Sequence, residues 1–61
     1  MKIGELLKLL RQNGIVFVEH GKKHDMYYSP LTKKAFPVPR HISQEAGKEL
    51  LRSILKQAGL K

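Results

Sequence analysis

The sequence predicts a small α+β fold in which two helices flank three strands, in the order α-β-β-β-α. Three observations support this prediction: apolar residues recur at helical spacing near both ends, β-branched and aromatic runs lie between them, and turn-forming residues separate these runs. We expect a three-stranded antiparallel sheet with both helices on one face. With 61 residues, the chain is expected to form a single domain over residues 1–61.

The first helix is predicted over residues 3–13 and is followed by the first strand. Apolar side chains recur within it at helical spacing, at Ile3, Leu6, Leu7, Leu9 and Leu10. Gly14, directly after Asn13, is typical of a helix end. Residues 15–18 are Ile-Val-Phe-Val, a run that predicts a buried strand. Because this strand is apolar on both faces, the sequence leaves open which face of the sheet is the core.

The second and third strands are predicted over residues 24–28 and 34–39, and a turn precedes each of them. The third strand contains Pro37 and Pro39, two residues apart, so both missing N–H groups lie on the same side of the strand. A strand that cannot donate hydrogen bonds on one side belongs at a sheet edge. The sequence therefore predicts a meander with the strand order 1-2-3.

The second helix is predicted to begin at Ser43, whose hydroxyl is suited to cap it. Gly47 is a weak point inside this helix, so a start as late as residue 48 is the alternative. Gly59 followed by Leu60 predicts a C-terminal cap with a hydrophobic contact back onto the helix. The helix has an apolar stripe and a basic stripe, formed respectively by Ala46, Leu50, Leu51, Ile54, Leu55 and Ala58, and by Lys48, Arg52 and Lys56.

The net charge is the strongest compositional feature of the chain. Twelve Lys and Arg residues against five acidic residues give a net charge of +7. Such a surface attracts polyanions through long-range electrostatics, and nucleic acid is the expected partner. The chain has no cysteine, which excludes disulfides, and its N-terminal segment becomes charged too soon for a signal peptide or a membrane span. We therefore expect a cytoplasmic protein.

Four segments in a fixed order carry most of the information about function. They are residues 1–14, Gly21-Lys22-Lys23-His24, Val38-Pro39-Arg40-His41, and residues 51–60. Through these segments, which span nearly the whole chain, the sequence resembles the HicA toxin family. The resemblance implies a double-stranded-RNA-binding-like fold, an endoribonuclease activity on mRNA, and neutralisation by a HicB-type antitoxin. It also implies that His24, three positions after Gly21, is the catalytic histidine.

The residues around His24 are suited to cleaving RNA. Cleavage needs a base that takes the proton of the ribose 2′-OH and an acid that protonates the leaving oxygen. Histidine suits either role because its unperturbed pKa is about 6.5. Lys22 and Lys23 beside it are predicted to contact phosphate and to stabilise charge in the transition state. Arg40 and His41 are further candidates for RNA contact. His20 ends the first strand opposite His24 across the turn, where the two could approach, but its expected role is that of an exposed strand end.

No cofactor and no metal are expected. The three histidines, His20, His24 and His41, lack the spacing of a zinc motif, and the acidic residues are dispersed along the chain. The sequence also contains no glycine-rich loop of the kind that binds nucleotide phosphates. We therefore expect catalysis by side chains alone.

The alternative function is a non-catalytic double-stranded-RNA-binding module with the same fold. Such modules place a cluster of lysines at the start of the second helix, where it grips phosphates. Here that position reads Ser43-Gln44-Glu45-Ala46 and contains no lysine. The sequence therefore favours the enzyme over the binding module.

Overall fold

The computed structural model describes residues 1–60 and confirms the predicted element order. It consists of α1 (Ile3–Gln12), β1 (Val16–His20), β2 (His24–Ser29), β3 (Lys34–Pro39) and α2 (Lys48–Ala58). The strands form an antiparallel sheet in the order β1-β2-β3, as predicted from the two prolines of β3. Within residues 1–60, no helix is long and apolar enough to cross a membrane.

The core lies on the face of the sheet that carries Tyr27. Tyr27 on β2 pairs with Phe36 on β3, and the two side chains are 8% and 0% exposed. The adjacent Tyr28 points to the opposite face and is 36% exposed. Both helices cover the Tyr27 face through side chains that are almost fully buried: Ile3, Leu6 and Leu10 of α1, and Ile54 and Ala58 of α2.

The first strand is not buried as the sequence predicted. Ile15 is buried just before β1, but Val16, Phe17 and Val18 remain about half exposed. Both β1 and β3 are edge strands, but α2 packs against β3 and β2 and leaves β1 largely uncovered. An irregularity in the β1–β2 pairing between Phe17 and Glu19 accommodates one extra residue in the edge strand.

The second helix begins at Lys48, so the prediction that Ser43 caps it is wrong, and the later start is the correct one. Gly47 occupies the N-cap position instead. The residues before it bond to the start of α1: the carbonyls of Ile42 and Gln44 accept hydrogen bonds of 2.9 Å from the N–H groups of Gly4 and Ile3. In a helix that began at Ser43, the carbonyl of Gln44 would have to accept from the N–H of Lys48, so its bond to Ile3 competes with the longer α2.

The C-terminal end of α2 follows the prediction and is held by the turn between β2 and β3. Gly59 has a φ of 82°, and the N–H of Leu60 donates to the carbonyl of Leu55 at 2.9 Å. From the last residue of β2, the buried hydroxyl of Ser29 donates to the carbonyl of Ala58 at 2.6 Å, and from the turn the hydroxyl of Thr32 donates to the carbonyl of Gln57 at 2.7 Å. The helix end is thereby fixed against the sheet.

Candidate functional site

The turn between β1 and β2, formed by residues 21–23, positions His24 and the two lysines before it. The N–H of Gly21 donates to the carbonyl of His24 at 2.8 Å, which closes the turn. A Cβ on Gly21 would lie 2.5 Å from that same carbonyl oxygen, a distance that no side chain tolerates. Glycine is therefore required at position 21, because the turn that leads to His24 brings the two backbones this close. All three side chains, Lys22, Lys23 and His24, are exposed.

The β1–β2 turn and the segment leaving β3 form the two walls of an open groove. It has a volume of about 500 Å³ and is lined by Lys22, Lys23, His24, Pro39, Arg40, His41 and Gln44. The two walls meet because His24 at the start of β2 pairs with Pro39 at the end of β3. The structure thus brings together all five residues predicted for the site, which lie in two separate segments of the sequence.

The charges in the groove suit a phosphate backbone. Lys22, Lys23 and Arg40 contribute three basic side chains, and among residues 1–60 no acidic side chain lines the groove. Two imidazoles, those of His24 and His41, lie among these cations. A polyanion bound here would place its phosphates beside groups that can both neutralise charge and transfer protons.

A second feature beside the groove was not foreseen from the sequence. His20 is the exposed end of β1, as expected, and its Nδ1 lies 2.9 Å from Oδ1 of Asp25. The same carboxylate oxygen accepts a hydrogen bond of 3.0 Å from Nε of Arg40, whose terminal nitrogen also donates to the carbonyl of Gly21. The bond to His20, together with that to Arg40, holds the pKa of the Asp25 carboxyl below its ordinary value of 3.8.

One sequence signal pointed to this network. Asp25 is the only acidic residue between residues 20 and 41, a stretch rich in lysine and arginine. The expected register places His20 opposite His24, whereas the structure pairs His20 with Asp25. A shift of one residue in a hairpin moves every side chain to the other face, so the contact could not be inferred from the predicted register.

The described residues offer no evident metal site. Within residues 1–60, no group of three His, Cys, Asp or Glu side chains lies close enough to hold an ion. Asp25, the acidic residue nearest the groove in sequence, is already engaged by His20 and Arg40. The polar groups that line the groove are the ammonium groups of the lysines, the guanidinium of Arg40, two imidazoles and the carboxamide of Gln44.

Fold and groove together define a class: a small basic α+β domain with a histidine-containing, cation-lined groove at one end of its sheet. A family model described as the HicA toxin of bacterial toxin-antitoxin matches residues 3–60. The chain belongs to the HicA toxin family. Comparison with curated proteins and with solved structures finds no significant match.

Proposed function

We propose that this chain is a metal-independent endoribonuclease that acts as the toxin of a toxin–antitoxin system in the cytoplasm. Family membership supports the toxin role, and one observation supports the ribonuclease activity: a single groove contains His24 together with Lys22, Lys23, Arg40 and His41. The substrate is mRNA, whose phosphates the cationic groove attracts. The inhibitor is a HicB-type antitoxin that covers this groove with acidic residues.

The proposed reaction is an internal attack on the RNA backbone. The ribose 2′ oxygen forms a bond to its own 3′ phosphorus and loses its proton, while the bond to the 5′ oxygen of the next nucleotide breaks and that oxygen gains a proton. His24 acts as general base or general acid in this exchange. Lys22 and Lys23 stabilise the charge that builds up on the phosphoryl oxygens. The products carry a 2′,3′-cyclic phosphate and a 5′-hydroxyl.

A non-catalytic RNA-binding module is the second candidate, and one observation favours it. Within residues 1–60, no hydrogen bond orients the imidazole of His24. Active-site histidines are commonly held by such a partner. In the enzyme, the substrate itself supplies the contacts that orient the ring. The two candidates differ in whether bound RNA is cut.

The proposal predicts separate effects of His24→Ala on cleavage and on binding. We expect single-turnover cleavage of RNA to fall by at least about 100-fold, which is the lower range for loss of a general acid or base. RNA affinity should be nearly unchanged because the cations of the groove remain. Expression of the wild type should arrest growth, whereas the variant should not. Circular dichroism and Tm should match the wild type because His24 is exposed.

Two controls distinguish the mechanism from the alternative. RNA with deoxyribose at the scissile position should bind but remain uncut, since it lacks the proposed nucleophile. Cleavage should persist in excess EDTA. A wild type that binds RNA tightly and never cuts it would establish the binding module, and an equally toxic His24→Ala would exclude His24 as the catalytic residue.

A further inference from the structure

The side chain of Arg40 is held at two points before any ligand arrives. Its Nε donates to Oδ1 of Asp25 at 3.0 Å, and a terminal nitrogen donates to the carbonyl of Gly21. The first contact joins the end of β3 to β2, and the second joins it to the β1–β2 turn. Arg40 therefore connects the two walls of the groove.

These two contacts leave Arg40 able to bind a phosphate. A guanidinium has five N–H donors in a fixed plane, and only two are used here. Arg40 is 43% exposed and lines the groove, so its remaining donors are accessible to a ligand. Asp25, in contrast, is 14% exposed and does not line the groove. Its carboxylate therefore contacts Arg40 without occupying the lining of the groove.

We propose that Asp25 is a positioning residue that fixes the guanidinium of Arg40. Because Arg40 also donates to the carbonyl of Gly21, Asp25 thereby helps to set the separation of the groove walls. This inference rests on the proposed binding of RNA in the groove. The Nδ1 of His20, 2.9 Å away, shares the same carboxylate oxygen and restricts its rotation. Asp25 thereby acts on RNA only through Arg40.

A charge-matched pair of variants tests this role. Asp25→Ala and Glu19→Ala each remove one negative charge, and Glu19 is exposed and makes no ion pair with a described residue. By charge alone, both substitutions should strengthen RNA binding. If Asp25 positions Arg40, Asp25→Ala should instead lower single-turnover cleavage on the order of tenfold, since small displacements of contacts have effects of this size. Glu19→Ala should leave cleavage unchanged or slightly faster.

A double-mutant cycle tests whether Asp25 acts through Arg40. If it does, Asp25→Ala combined with Arg40→Ala should cleave no more slowly than Arg40→Ala alone. If the two single losses multiply instead, Asp25 contributes independently and the inference is wrong. It is also wrong if Asp25→Ala behaves like Glu19→Ala.

A spectroscopic measurement separates this inference from the proposed ribonuclease activity. The Nε–H resonance of Arg40 should be protected from solvent exchange in the wild type and in Glu19→Ala, and should lose protection in Asp25→Ala. This result needs no RNA, so a wild type that fails to cleave would contradict the proposed function and leave the positioning contact established. An unprotected Nε–H in the wild type would overturn the inference.

Arg40→Lys provides a second variant in case Asp25→Ala does not fold. It keeps the positive charge and Asp25 but cannot form the two-pronged contact with Asp25 and Gly21. We expect a loss of cleavage comparable to that of Asp25→Ala. Cleavage at the wild-type rate in Arg40→Lys would show that the fixed guanidinium is not needed.

Discussion

At the scale of single residues, Gly21 is a position of the candidate site at which the backbone leaves no room for a side chain. Its φ is not in the left-handed region; the constraint is the space beside its Cα, where a Cβ would lie 2.5 Å from the carbonyl of His24. That carbonyl belongs to the backbone, so a side chain cannot be accommodated by a rotamer change. The turn itself must move, and His24 moves with it.

Gly21→Ala is therefore expected to damage activity more than stability. Relief of the clash should lower the free energy of unfolding by about 1–3 kcal/mol, as for other overpacked positions. Displacement of His24 should lower RNA cleavage on the order of 10- to 100-fold. Gly47→Ala is the matched control, because a Cβ added at Gly47 would meet no other atom within 4 Å, and it should cleave like the wild type. Wild-type cleavage by Gly21→Ala would contradict the steric requirement.

Which residues belong to the candidate site could be predicted from the sequence, whereas the contacts between their side chains could not. His24, Lys22 and Lys23 adjoin one another in the chain, so their proximity needed no fold. Arg40 and His41 approach His24 because His24 pairs with Pro39. The prolines of β3 predicted the order of the strands but not this pairing of residues. The hydrogen bond from Arg40 to Asp25 depends on the exact hairpin register, which composition does not determine.

At the scale of elements, α2 is fixed to the sheet at its C-terminal end by a buried serine. The hydroxyl of Ser29 donates to the carbonyl of Ala58 and accepts a hydrogen bond of 3.2 Å from the N–H of Leu31. Ser29 and Ala58 are both 0% exposed, so water cannot replace the contact between them. Thr32 adds a hydrogen bond of 2.7 Å to the carbonyl of Gln57.

Ser29→Ala is expected to destabilise the protein without altering the groove. Loss of the hydroxyl leaves the buried carbonyl of Ala58 without its partner, which costs about 1–3 kcal/mol. In a chain of this size, Tm should fall on the order of 10 °C. Ser53→Ala is the control, because Ser53 is exposed on α2 and contacts only Gln57 through its hydroxyl. Differential scanning calorimetry distinguishes them, and equal Tm values for the two variants would contradict the role of Ser29.

Element types were predictable, but burial and one boundary were not. Apolar periodicity identified both helices, and β-branched or aromatic runs bounded by turn residues identified the three strands. It could not show that β1 lies beyond the cover of α2, because burial of a strand depends on where the helices cross the sheet. Ser43 has a suitable capping side chain, yet α2 begins later because the preceding segment bonds to α1. Tertiary contacts override local capping preference there.

At the scale of the whole molecule, the net charge of +7 favours association with RNA, and the groove concentrates part of this charge. Lys22→Ala combined with Lys23→Ala should weaken RNA binding similarly across sequences. The dependence of log Kd on log salt should become shallower by up to about 2, near one unit for each lost phosphate contact. Affinity measured between low and physiological salt tests this expectation.

A control variant has the same net charge as the double variant of Lys22 and Lys23. Lys8→Ala combined with Arg11→Ala also removes two cations, but from the exposed side of α1, outside the groove. Charges farther away than about 8 Å are largely screened at physiological salt. The salt dependence should therefore change less than in the lysine double variant. Equal changes in both would show that RNA responds to overall charge and that the groove is not the binding site.

The segment between β3 and α2 is attached to α1 by main-chain atoms. Three backbone hydrogen bonds of 2.9 Å join it there, with the carbonyls of Ile42 and Gln44 accepting from α1 and the N–H of Ala46 donating to the carbonyl of Met1. Every amino acid except proline has these groups, so the path of this segment does not depend on most of its side chains. The side chains of Ile42 and Ser43, next to the groove-lining residues His41 and Gln44, can therefore change while the backbone keeps its course. Selection for a new binding partner can act on these side chains without cost to the fold.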